Sequence, residues 1–206
     1  MPNRSNVMRR GTLTLWGALI ALGAIMLAVP ASAHDAKLHA AAAPIPIDPG
    51  GPFSLIDQHG VPVTDRDFRG QFMLVFFGYA TCPGICPTGL RGMAAAIDLL
   101  GAEGEAVAPI LVTIDPERDT PEALDAALAK MHPRLIGLTG SFDALNAAAK
   151  AYKVSAKLVG WTLRKEPIVE HGSYIYLMGP DGKFLTIFPP IMDPEEMAAA
   201  IRGYLN

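Results

Sequence analysis

Two uninterrupted apolar runs constrain this chain more than anything else in it. Residues 71–79 read QFMLVFFGY and residues 106–115 read AVAPILVTID. Each is of strand length, rich in β-branched and aromatic residues, and lacks the apolar–polar alternation of a strand with one wet face. Both therefore read as strands buried on two sides, which demands layers above and below one sheet. The segments between and after them supply those layers. GLRGMAAAIDLLG has helical composition and stops at a glycine. TPEALDAALAKMH opens with Thr120 as cap, Pro121 at the first helical position and Glu122 in the first turn. SFDALNAAAKAY begins with Ser141 as another cap, and DPEEMAAAIRGYL is a closing helix capped by Asp193. FSLID and VPVTD flank His59-Gly60 as a small hairpin or paired edge strands, RLIGLTG is a short strand, and SYIYLMGPDGKFLTIF reads strand, turn, strand. That order predicts an α/β domain: a mixed sheet with helices on both faces.

The amino-terminal part stands outside this pattern. Arg4, Arg9 and Arg10 precede the uncharged run TLTLWGALIALGAIMLAV, which is followed by PASAHD. A basic start, an apolar middle and a small-residue exit at Ala31-Ser32-Ala33 are the parts of a signal peptide. The run is also close to the roughly 20 residues that span a bilayer, so a retained membrane anchor is the alternative for residues 1–33. Either way the upstream arginines hold that end in the cytoplasm and the rest of the chain is exported, to the periplasm or the outer face of the membrane. Residues 34–52, rich in Ala, Pro and Gly, read as a tether, and residues 53–206 as the folded domain. Beyond Ala33 there are 14 basic against 20 acidic side chains, a balance of about −6 that argues against a nucleic-acid partner.

Cys82 and Cys86 are the two cysteines of the chain, and both lie in FFGYATCPGICPTGL. The loop leaves a buried strand and enters a helix, at the carboxyl end of a strand, where open α/β sheets place their sites. Local physics thus points to a thioredoxin-like domain with a reactive loop in its expected place. Three readings compete: a structural disulfide, a catalytic dithiol, or a pair of soft metal ligands. The first is the weakest, because a Cys82–Cys86 bridge would close a very short loop. A helix amino terminus favours a thiolate, which serves a nucleophile and a metal ligand equally. Against thioredoxin-type catalysis, the spacing is C-x-x-x-C, Thr81 stands where those proteins carry tryptophan, and Gly172-Ser173 stands where they carry a cis-proline. A peroxidase arrangement, T-x-x-C, is absent too.

A metal reading needs a third ligand. Two thiolates and an imidazole suit copper, because sulfur favours Cu(I) and histidine also holds Cu(II). His34 and His39 lie in the tether, His59 in a tight turn, and His132 at a helix end where capping accounts for it. His171, in IVEHGSYIYL, lies on the loop entering the final hairpin, and in a thioredoxin-like sheet that loop packs beside the cysteine loop.

TCPGICP, DPERDTP and EHGSYIYLMGPDG, in this order, resemble the Sco (SenC-type) family of copper chaperones for cytochrome c oxidase assembly. The resemblance spans the whole exported domain. It implies a thioredoxin-like fold, an amino-terminal membrane anchor, and a metal site made by Cys82, Cys86 and His171. It also implies copper, as Cu(I) or Cu(II), as the ligand, and the copper-bearing subunit of the oxidase as partner, with other copper carriers or thiol reductases as further partners. Whether the chain is an enzyme stays open: the alternative role is a thiol–disulfide reductase using Cys82 and Cys86 as a redox-active dithiol. The chain departs from the family pattern with Glu170-His171-Gly172 in place of Asp-His-Ser and Gly179-Pro180 in place of Asp-Pro. In DPERDTP, turn and cap chemistry accounts for most of the segment, and Asp115 and Asp119 are candidates for supporting the site or docking a partner.

Overall fold

The computed structural model describes residues 48–154, 156–161, 167–172 and 174–206; for 156–161 and 167–171 it describes the backbone. The amino-terminal segment expected as signal peptide or anchor lies outside the described residues, as does most of the tether. No helix among the described residues is long and apolar enough to cross a membrane.

The elements run β1 (Ser54–Asp57), β2 (Pro62–Thr64), β3 (Phe72–Gly78), α1 (Cys86–Leu100), β4 (Val107–Thr113), α2 (Pro121–Leu128), β5 (Ile136–Thr139) and α3 (Phe142–Ala151). Then come β6 (Ala156–Trp161), β7 (Pro167–His171), β8 (Ile175–Met178), β9 (Phe184–Phe188) and α4 (Pro194–Leu205). Seven strands form one sheet in the order β2-β1-β5-β4-β3-β8-β9. The central three are parallel, β3 to β4 and β4 to β5. Antiparallel pairs flank them, β1 on β5 and β8 on β3. This is the mixed, helix-flanked sheet of a thioredoxin-like domain.

The two apolar runs behave as their composition demands. Alternate residues of β3 divide between two cores. Leu74 and Phe76 pack with Leu90, Met93 and Ile97 of α1 and Met197 and Ile201 of α4. Met73, Val75 and Phe77 pack on the other face with Leu145 and Ala148 of α3 and with Tyr152 and Tyr176. Pro109 lies inside β4, where a missing N–H would normally be costly. Pairing with β5 starts only at Ile110, so the proline precedes the stretch held on both sides.

The helix caps are as expected. Thr120 accepts from the Ala123 N–H, Ser141 from the Ala144 N–H, and Asp193 from the N–H groups of Glu195 and Glu196. The β8–β9 corner closes through Gly182, whose φ of +73° suits glycine. Three boundaries differ from the sequence reading. Helix α1 begins at Cys86, so the second cysteine belongs to the helix and not to the loop before it. Helix α2 ends at Leu128, short of His132, whose ring instead contacts Asp98 at 3.0 Å. A hairpin, β6–β7, stands where no strand was expected, and His171 is the last residue of β7 rather than part of a loop.

The carboxyl end of the expected tether is seated on the domain. Pro49 is buried, and the Gly50 N–H donates to the Ala151 carbonyl at 3.0 Å.

Candidate metal centre

Strand β3 leads into the cysteines. Its last residue, Gly78, offers its carbonyl to the Ile114 N–H at 2.8 Å, tying the exit of β3 to the exit of β4. Tyr79 is buried, and a turn follows in which the Cys82 N–H donates to the Tyr79 carbonyl at 3.2 Å. Cys82 is half-buried, and the Gly84 N–H points at its sulfur at 3.4 Å. The chain then enters α1, where Cys86 is fully buried in the core that α1 shares with the sheet.

The two side chains meet: the Cys86 thiol is hydrogen-bonded to the Cys82 sulfur. That bond, and then burial, push the Cys86 thiol well up from the ordinary cysteine range. Backbone groups of Tyr79 and Cys86 pull the other way and lose. The helix terminus alone predicts a lowered thiol pKa; for Cys86 the neighbouring sulfur and the dry surroundings outweigh it. Chemically, this is a pair of soft donors side by side, one reachable from solvent and one anchored in the core. Such a pair suits a soft cation, with thiol protons released as the metal binds. Gly78 leaves room for it, because a Cβ there would lie 3.1 Å from the Cys86 Sγ and 3.0 Å from a Phe76 ring carbon.

His171, the third ligand that the sequence suggests, ends β7. Its backbone pairs with Ala156 at the end of β7, and the chain then passes into β8, whose first residue, Ile175, lies opposite Phe76 of β3. Because β8 runs antiparallel to β3, the chain enters β8 at the end of the sheet where β3 exits toward the cysteines. The His171 side chain lies outside what is described. Among the described residues, no group of three or more His, Cys, Asp or Glu side chains is placed to hold a metal.

The DPERDTP segment contributes what the sequence left undecided. Asp115 pairs with Arg118, whose guanidinium lies 5.3 Å from the centre of the Tyr79 ring. Asp119 is only 1% exposed. One of its carboxylate oxygens accepts from the Ala80 N–H at 2.9 Å and from the Thr113 hydroxyl at 2.7 Å. The Thr113 oxygen in turn accepts from the Asp115 N–H at 2.9 Å. Burial raises the Asp119 carboxyl above the ordinary range even though both donors oppose it. The segment is therefore a clasp between the exits of β3 and β4. Sequence reasoning saw the cap at Thr120 and missed the partner of Asp119, 39 residues earlier. The available signal was an acid placed directly before a cap that already had its own donor.

A sequence model of the family described as SCO1/SenC matches residues 42–206. Protein sco1 of Schizosaccharomyces pombe is 41% identical over 159 residues, covering 75% of this chain and 60% of that protein. The chain thus spans less than two thirds of that relative's length. Among solved structures, Bradyrhizobium japonicum ScoI with copper bound matches with a TM-score of 0.70 at 38% identity, covering 76% of this chain and 99% of that one. BsSco, a member of the Sco family of cytochrome c oxidase assembly proteins in which a disulfide switch was identified, matches with a TM-score of 0.62 at 27% identity. That match covers 79% of this chain and 96% of BsSco.

Proposed function

The chain belongs to the SCO1/SenC family, and we propose that it binds copper through Cys82, Cys86 and His171 and delivers it during assembly of cytochrome c oxidase. The observation that carries this reading is the contact between two thiols at the start of α1, at the sheet end where β8 enters from His171. The donor set fits the ion: two sulfurs hold Cu(I) at low coordination, and an imidazole adds the nitrogen that Cu(II) seeks. Copper-bound ScoI supports the same reading by likeness. Copper is cargo here, passed on by stepwise exchange of ligands. The half-exposed Cys82 is the ligand an incoming donor reaches first, and Cys86 holds until last. The recipient is the copper-bearing subunit of the oxidase, met outside the cytoplasmic membrane after export directed by residues 1–33.

A second role is compatible with the same thiols. Side by side, Cys82 and Cys86 can cycle between dithiol and disulfide, and BsSco carries a disulfide switch. In that role the chain keeps the recipient's cysteines reduced. A titration decides the primary role. The reduced domain is expected to take up one copper per chain and the oxidised domain very little, because a disulfide offers no comparable donor. Equal uptake by both forms would remove the thiols from the site.

A further inference from the structure

Cys86 is buried in the core, and Cys82, half-buried, lies on the loop between β3 and α1. The question is what sets its distance from Cys86. Between Gly78, the last residue of β3, and Cys82 the chain has three residues. The second of them, Ala80, is held by a group from elsewhere in the fold. Its N–H donates at 2.9 Å to a buried carboxylate oxygen of Asp119, which the Thr113 hydroxyl orients at 2.7 Å. Thr113 ends β4, and Asp119 lies between β4 and α2. The anchor is thus built from the central strand next to β3, not from the loop itself. A buried carboxylate is costly, and a fold retains one where its hydrogen bonds define a geometry.

We propose that Asp119 is a positioning residue for Cys82: through the Ala80 N–H it holds the loop at the distance from Cys86 that the thiol pair needs. The proposal deepens the reading of Cys82 and Cys86 as the working thiols and rests on it. A disulfide tolerates only a narrow range of Cα separations, and two ligands on one metal are similarly restricted. With the anchor gone, Cys86 stays in the core while Cys82 samples a wider volume. The disulfide then loses stability relative to the dithiol.

The test uses the full-length chain with Asp119→Ala, Asp119→Asn and Thr113→Val. The first readout is copper-free. It is the equilibrium in which the Cys82–Cys86 disulfide and reduced dithiothreitol exchange to give the Cys82/Cys86 dithiol and oxidised dithiothreitol. The second is the thiolate-to-copper absorption band on adding Cu(II), and the third is Tm. Asp119→Ala is expected to shift the equilibrium about tenfold toward the dithiol, ~30 mV for a two-electron couple, and to move the copper band. Asp119→Asn keeps an oxygen that accepts both hydrogen bonds and is expected to stay within about twofold of the parent. Thr113→Val removes one of the donors orienting that oxygen and is expected to shift the equilibrium the same way by about threefold. Where Asp119→Ala does not fold, Thr113→Val carries the test. Folded variants with lowered Tm but the parent's equilibrium and copper band would overturn the proposal and leave Asp119 with a purely stabilising role. A parent chain that binds no copper would instead overturn the copper reading, and the thiol equilibrium would still decide for or against Asp119.

Discussion

Cys82 and Cys86 follow a strand paired on both sides, whereas His171 ends a two-stranded ribbon that stands apart from the seven-stranded sheet. Strand β3 is matched to β4 along its whole length and to β8 over four residues. The cysteine loop inherits that order through Gly78, Ala80 and the buried Cys86. Among the described residues, strands β6 and β7 pair only with each other, with a register shift between Leu158 and Gly160. A lone hairpin has little stability of its own and depends on what it packs against. The difference separates the two halves of the candidate centre. The thiol pair belongs to the folded core, and the proposed third ligand, His171, ends an element outside the main ladder. On the proposed reading, the core holds the dithiol in place for the metal, and bound copper would join the ribbon to it.

The largest effects should come from the core side. Cys86→Ser replaces the anchored sulfur with a hard oxygen and is expected to weaken Cu(I) on the order of a thousandfold. Competition with a Cu(I) chelator measures it, and Cys82→Ser should match it within an order of magnitude. Cu(I) affinity that survives Cys86→Ser would mean that the core side does not hold the metal.

His171→Ala should separate the two halves. Cu(I) needs little beyond two thiolates, so its affinity should fall less than about tenfold. Cu(II), which prefers added nitrogen or oxygen donors, should weaken about a hundredfold or more. Thiol–disulfide exchange should proceed near the parent rate. Equal losses for both oxidation states would merge the two halves into one rigid site, and an unchanged Cu(II) affinity would take His171 out of it.

Gly78→Ala probes the preorganisation itself. The added methyl would sit 3.1 Å from the Cys86 Sγ and 3.0 Å from the Phe76 ring, tighter than ordinary packing permits. An overpacking cost of about 1–3 kcal/mol is expected, visible as a lower Tm, with a smaller decrease in Cu(I) affinity than either cysteine variant gives. A variant with the parent's Tm and affinity would show that the exit of β3 yields easily and that the core side is less rigid than described.

How much of this was legible in the sequence follows the same division. Where a residue's role was set by burial or by its immediate neighbours, the reading succeeded. The runs through Phe72–Gly78 and Val107–Thr113, the caps at Thr120, Ser141 and Asp193, and the turn at Gly182 are all where apolar pattern and local hydrogen bonding put them. The β6–β7 hairpin was missed because AKLVGW and PIVEH carry lysine, glycine, proline and glutamate, and show neither a continuous apolar run nor clean alternation. Placing His171 beside the cysteine loop relied on fold analogy and not on any local signal. The hydrogen bond from Ala80 to Asp119 was hidden for another reason: it joins residues far apart in sequence, and an aspartate before a cap looks like ordinary turn chemistry.

The smallest effect is expected from the tether. His34 and His39 are the remaining imidazoles upstream of the domain, and cleavage after Ala33 would give His34 an α-amine beside its ring. Deleting residues 34–47 should leave copper stoichiometry at one and the affinity unchanged within about twofold, changing only how far the domain reaches from a membrane. The deletion has to stop there. Carried on through residue 52, it also removes the buried Pro49 and the Gly50 N–H bond to Ala151, a loss of about 1 kcal/mol for the hydrogen bond alone. The longer deletion should therefore lower Tm while the shorter one does not. Loss of the tight copper site in the shorter deletion would place a ligand at His34 or His39, and the centre would then have three sources of donors instead of two.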